Sequence, residues 1–417
     1  MQLHLNYIKI FEYSGRCLMS NERIHSLDSL RAAMMFLGIV FHAALIFLPI
    51  ESETWQVHDP KSKNIIFDGI SLWIHSFRMP VFFIISGFFA ALLFYARTPS
   101  TMIKNRIKRI YLPFLACLFT ILPLYKFMVF YANKSFELDG YSLIEAIEQV
   151  SLSILFPLRV EYFWFLNYLM IMSLMMFLFG IFLSKVNMRL NFLKRIFENL
   201  MRHNFISVFV FCLLSFLSLY SMGYSLARTD LYIIPNPSVF LYYFLFFIYG
   251  CLLYSSRKLL YVYTESYRVN LILGTVLYVC YITMTYFYKN ELFYLEMFCY
   301  ALIVWLYSFG IIGLFLKCFR KESAMNRYFS DSSYWVYIIH LPIILYITSL
   351  IGNYNLSAIA KFTIIVSSTF FISMLSYHYL VRSTFIGQFL NGKKYPFSGR
   401  LCSNLARFYH KIEKAKQ

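Results

Sequence analysis

Residues 70–95 read ISLWIHSFRMPVFFIISGFFAALLFY. A helix crosses the ~30 Å hydrocarbon core of a bilayer in about 20 apolar residues, so this stretch is long enough to span it. Comparable apolar runs recur at 30–50, 111–131, 163–184, 205–226, 238–256, 269–288, 293–316, 334–350 and 357–381. Strands of a membrane barrel would be short and would alternate apolar with polar positions, whereas these runs are continuous. The pattern predicts an all-α fold, a polytopic transmembrane helical bundle of about ten transmembrane helices.

Composition agrees with that reading. Of the 417 residues, 60% are hydrophobic and only 14% are charged, too few charges to cover so much apolar surface in water. The loops carry their charge asymmetrically. The N-terminus, 96–110, 185–204, 257–268, 317–333 and the tail from 382 together hold 28 of the 38 Lys and Arg. The intervening loops hold Lys61, Lys63, Lys134, Arg159, Arg228 and Lys289. By the positive-inside rule both termini are cytoplasmic. The net charge of +18 therefore reads as topology, and no nucleic-acid partner is expected. The tail from Arg382 is expected to touch anionic headgroups of the lipid bilayer. The eight cysteines show no metal-ligand spacing, so neither a metal site nor a disulfide is expected.

The chain divides into a cytoplasmic N-terminal segment 1–23, a transmembrane domain 24–381 and a basic cytoplasmic tail 382–417. Met19 is an alternative start that leaves every span intact. The outer loop 132–162 is too short for a catalytic domain and long enough for a short helix on the membrane surface.

Ionisable side chains inside a bilayer are costly and usually face a cavity or a partner, which makes them functional candidates. On the first span Arg31 and His42 are eleven residues apart, within about 20° of one helix face and roughly 16 Å apart along the axis. A neutral imidazole can take a proton from a hydroxyl near pH 7, but a buried histidine is also commonly a structural hydrogen-bonder. On the second span Arg78 lies at a similar depth and needs an anionic partner. That partner is either Glu296, near the outer end of the eighth span, or a carboxylate or sugar of a substrate. Ser86-Gly87 reads as a small pair that lets helices pack closely. His340 lies near the midplane, shortly before Pro342. Arg106 and Arg109, in the inner loop after the second span, are spaced to share a helix face and clamp phosphates, though positive-inside loops also carry such pairs without a ligand.

Taken together, several segments are similar in order and spacing to the acyltransferase-3 family of membrane O-acyltransferases. They are Leu27-Asp28-Ser29-Leu30-Arg31 with His42 after ten further residues, Arg78-Met79-Pro80 leading into Ile85-Ser86-Gly87-Phe88, and Arg106-x-x-Arg109 before Pro113. Phe163-Trp164-Phe165-Leu166 and Tyr337-Ile338-Ile339-His340-Leu341-Pro342 complete the set. The likeness covers roughly 24–381 and is strongest to the members that succinylate periplasmic glucans.

The resemblance implies transfer of an acyl group, most simply succinyl, from cytosolic acyl-coenzyme A to a hydroxyl of a periplasmic glucan or other glycan. It implies a multi-pass protein of the bacterial inner membrane with no permanently bound cofactor. It makes His42 the catalytic base and puts Arg31 on the inward path of the donor. Arg106 and Arg109 become candidates for the coenzyme A phosphates, and Arg78, Ser86, His340, Trp164 and Glu296 for the substrate site. Many members carry an appended extracytoplasmic domain that handles the acceptor, and this sequence contains none. Acceptor recognition then falls to the outer loops, with envelope biosynthesis proteins as possible partners.

The alternative from another class is a transporter or flippase for an anionic or lipid-linked substrate, which would move solute without thioester chemistry. No repeat between the two halves and no paired broken helices favour it. A purely structural envelope partner would have no use for the ionisable groups of the first two spans.

Overall fold

The computed structural model describes residues 25–49, 55–138, 140–151, 159–186, 191–288, 291–321 and 323–395. The segment 1–23, the alternative start at Met19, Lys289 and the tail beyond 395 lie outside the described residues. Ten helices are long and apolar enough to cross a membrane, and each contains or closely matches one of the runs read from the sequence. In chain order the helices are α1 (His25–Ala44, extended by a 3-10 turn, Leu45–Phe47), α2 (Ile66–Ala96), α3 (Pro99–Glu137) and the short α4 (Leu143–Gln149). There follow α5 (Trp164–Lys185), α6 (Asn191–Arg202), α7 (Asn204–Met222), α8 (Pro237–Ser255) and α9 (Tyr261–Phe287). The chain closes with α10 (Phe293–Cys318), α11 (Ala324–Ile351), α12 (Ala358–Ser376) and α13 (Phe385–Asn391). Helices α4, α6 and α13 are not among the crossings. An even number of crossings brings the start of α1 and the end of α12 to one face, called here the terminal face; the opposite one is the far face. Among the described residues there is no sheet, only an isolated bridge between Arg159 and Tyr232.

One expectation is corrected. The stretch expected as an inner loop, with Arg106 and Arg109, is helical and continues into the third crossing. Thr98 caps it by accepting from the Thr101 N–H at 3.1 Å, and Pro99 occupies the first turn, where its missing N–H costs nothing. Pro113 cannot donate to the Arg109 carbonyl four residues back, and Ile107–Tyr111 widens into a π turn there. The expected surface helix of the outer loop is α4, opened by a capping box of Ser142 and Glu145.

α2 and α10 are the most enclosed crossings and α9 the least. α2 lies directly on α8. A Cβ on Gly87 would overlap the Phe247 carbonyl, and one on Gly250 would overlap the Ile84 carbonyl, so the two backbones touch where side chains would hold them apart. The outward faces carry Phe179, Phe182, Leu217, Ile272 and Phe371, all exposed, as a lipid-facing surface requires. On the far face Lys361 of α12 is sealed in, its ammonium donating to Asp59 at 2.7 Å and to the Gly352 carbonyl at 2.6 Å. That ion pair ties the loop after α1 to the end of the bundle.

Candidate active site

Three helices supply the polar groups of the site. His42 stands in the last turn of α1, with Nδ1 buried and without a hydrogen-bond partner. Arg78 stands on α2, two residues before Pro80; its Nη1 is also buried and unpartnered, and Nη2 reaches only the Met79 sulfur at 3.8 Å. His340 stands on α11, two residues before Pro342. Its Nδ1 lies 2.7 Å from the Tyr337 carbonyl, and because a carbonyl only accepts, Nδ1 carries the proton. That leaves Nε2 an acceptor, buried and bare.

Gly38 explains how they meet. It lies one turn before His42, and a Cβ there would stand 3.2 Å from Arg78 Nη1 and 3.6 Å from His340 Nε2. The heads of Arg78 and His340 therefore rest on the bare backbone of α1. The His42 and His340 rings are 5.3 Å apart between centroids. Phe41 lies under the Arg78 guanidinium at 4.7 Å, and Trp55 stacks on His42 at 5.4 Å. The structure thus brings together three residues that the sequence offered on separate spans.

All three open on one cavity of about 430 Å³, which Trp164 also lines. It reaches the far-face loop between α7 and α8. Asp230 organises that loop, accepting from Tyr168 Oη at 2.8 Å and from the backbone of Tyr232 and Asn236. The loop in turn holds His75, whose Nε2 donates to the Ala227 carbonyl at 2.8 Å.

Two further charges at this site were missed from the sequence. Glu161, on the cavity wall, forms a buried ion pair with Lys126 of α3. Glu161 is the single non-glycine residue among those described with positive φ, +48°. Such a conformation costs about 1–3 kcal/mol and persists only where its surroundings enforce it. Its neighbour Tyr162 is anchored to α11 from both sides. Pro342 leaves the Ile338 carbonyl without its helical donor, and Tyr162 Oη donates to that carbonyl at 2.7 Å. Tyr337 Oη returns a bond to the Tyr162 carbonyl at 2.8 Å. Lys126, like Lys361, is a charge within an apolar run, a signal that the criterion applied to Arg78 would have caught. Glu161 ends a loop and has no such signal.

Other candidates lie elsewhere. Glu296 is buried in the first turn of α10, outside the cavity lining, and no ion pair joins it to Arg78. Among the described residues Arg78 pairs with no carboxylate. Ser86 is buried within α2, away from the cavity lining, and its carbonyl accepts from Arg106 at 3.3 Å. On the terminal face Arg31 is partly exposed beside Asp28 at 3.5 Å. Arg109 donates to the Gln388 and Phe389 carbonyls at 2.8 and 2.9 Å, closing the end of α13. Arg106 and Arg109 therefore reach different partners and do not converge on one space.

The fold and the site define a multi-pass membrane protein with a buried histidine pair around a cavity and an arginine that pairs with no carboxylate among the described residues. The chain belongs to the acyltransferase-3 family: the family model described as an acyltransferase domain matches residues 24–378. It is thus an acyltransferase acting on substrates other than aminoacyl groups. It is similar to glucans biosynthesis protein C of Escherichia coli SMS-3-5, 26% identical over 353 residues covering 78% of this chain and 83% of the relative. The protein of the same name from Escherichia coli K12 is 26% identical over 358 residues, with the same shares covered. No solved structure matches the chain.

Proposed function

We propose that the chain moves a succinyl group from cytosolic acyl-coenzyme A to a hydroxyl of a periplasmic glucan, within the bacterial inner membrane. The observation that carries the reading is the convergence of His42, His340 and Arg78 on one cavity that reaches the far face. The donor arrives from the terminal face, its phosphates met by Arg106 and its thioester passing Arg31. The acceptor hydroxyl arrives from the far face. His42 takes the hydroxyl proton as that oxygen attacks the thioester carbonyl. The tetrahedral adduct collapses, the carbon–sulfur bond breaks, and His42 returns the proton to the departing thiolate. Arg78, a buried cation without a carboxylate partner among the described residues, receives the terminal carboxylate of the succinyl group, which a fork of N–H donors fits bidentately. The glucans biosynthesis protein C name of the relatives supports a glucan as the acceptor.

The test compares the masses of envelope glycans from cells with and without the chain, together with release of free thiol from labelled succinyl-coenzyme A. Glycans that lose succinyl groups when the chain is removed, and thiol release that needs the chain, support the reading. Unchanged glycans with solute movement and no thioester cleavage would instead establish a transporter.

A further inference from the structure

Glu161 is not one of the groups that the proposed transfer uses, yet it is placed as a functional side chain. Its carboxylate is enclosed against Lys126 on the wall of the cavity that His42 and Arg78 share. Its backbone has positive φ, and the next residue, Tyr162, is joined to α11 beside His340 by two hydrogen bonds. A side chain needed only to neutralise Lys126 could do so from a relaxed helix. The cavity lining is partly aromatic: Tyr125 and Tyr162 pack with ring centroids 5.3 Å apart, and Trp164 lines the same cavity. Aromatic faces with a fixed carboxylate suit a pyranose, whose apolar face stacks on rings while its hydroxyls donate to a carboxylate oxygen.

We infer that Glu161 is an acceptor-binding residue, its carboxylate taking hydrogen bonds from hydroxyls of the incoming glycan, with Lys126 as the positioning residue that keeps it aimed. This rests on the proposed function insofar as the glycan enters this cavity. It adds a second anchor at the cavity wall, separate from His42. Recognition by a carboxylate selects neutral, hydroxyl-rich acceptors and disfavours anionic ones.

The experiment uses the full chain reconstituted in lipid nanodiscs, with succinyl-coenzyme A as donor and a soluble gluco-oligosaccharide as acceptor. Glu161→Gln alone leaves a buried ammonium unpaired and is prone to misfold, so the decisive protein is the double variant Glu161→Gln/Lys126→Met, which removes both charges. The expected result is an acceptor KM raised at least tenfold, with the donor KM unchanged and the thermal midpoint close to that of the wild type. Direct binding of the oligosaccharide without donor should weaken by the same factor. A folded double variant with the wild-type acceptor KM overturns the inference, as does equal impairment of donor and acceptor. Oligosaccharide binding by the wild type without succinyl transfer overturns the donor assignment instead, and Glu161 is then judged on binding alone.

Discussion

Around the cavity, His42 Nδ1, Arg78 Nη1 and His340 Nε2 lack partners among the described residues, whereas on the terminal face Arg106 and Arg109 each donate to main-chain carbonyls, with Arg106 Nε the one buried donor of the two left bare. Buried polar groups without partners are expensive, so a fold tolerates a cluster of them where a ligand can supply the missing bonds. The far-face site is therefore open for chemistry as it stands. The terminal-face arginines serve first as joints, Arg106 to α2 and Arg109 to α13, and a phosphate there would have to share or replace those bonds. The difference separates a site whose cost is chemical from one whose cost is structural.

Five substitutions test that contrast. His42→Ala should lower glycan acylation about a thousandfold, the loss expected of a positioned general base, while leaving membrane insertion intact. Acylation at the wild-type rate would remove His42 from the reaction. Lys361→Met, which strands buried Asp59, should cost about 3 kcal/mol in thermal unfolding in nanodiscs. It should also loosen the loop that sets Trp55 over His42, and an unchanged melting midpoint would show that the clasp contributes little. Gly250→Ala should cost about 2 kcal/mol by forcing α8 off α2, seen as a lower midpoint with the donor KM unmoved. A full-strength midpoint would mean that the helices part without penalty.

The smallest effects belong to the terminal face and divide its two arginines. Arg106→Ala should weaken coenzyme A donor binding about tenfold, with a reduced salt dependence, as loss of one charge-assisted contact predicts. Arg109→Ala should act more on stability, by about 1 kcal/mol, because its guanidinium closes a helix end. If the two variants instead weaken donor binding equally and leave stability untouched, the arginines form a clamp and the contrast between the faces fails.

Much of the bundle was legible in the amino-acid order alone. Span count followed from apolar length, and close packing at Gly87 followed from the small pair in α2. The site was legible in parts: His42, Arg78 and His340 each stood out as ionisable groups in apolar runs, as did Lys126 and Lys361 for a reader applying the same rule throughout. Glu161 was not legible, because its loop sequence resembles any solvated acid and its partner Lys126 lies on another helix. The pairing considered between Arg78 and Glu296 was equally undecidable, since depth along two helices says nothing of the angle between them.

The sequence by itself determined what repeats locally: helix length from the apolar runs, and the face shared by Arg31 and His42 from the helical period. Only the tertiary structure decided what crosses between helices. It chose Gly38 as the floor for Arg78 and His340, gave the Ile338 carbonyl freed by Pro342 to Tyr162, and set Lys126 against Glu161. The physical reason is that a helix fixes its own geometry through bonds four residues apart, while distances between helices come from side-chain packing summed over the whole bundle.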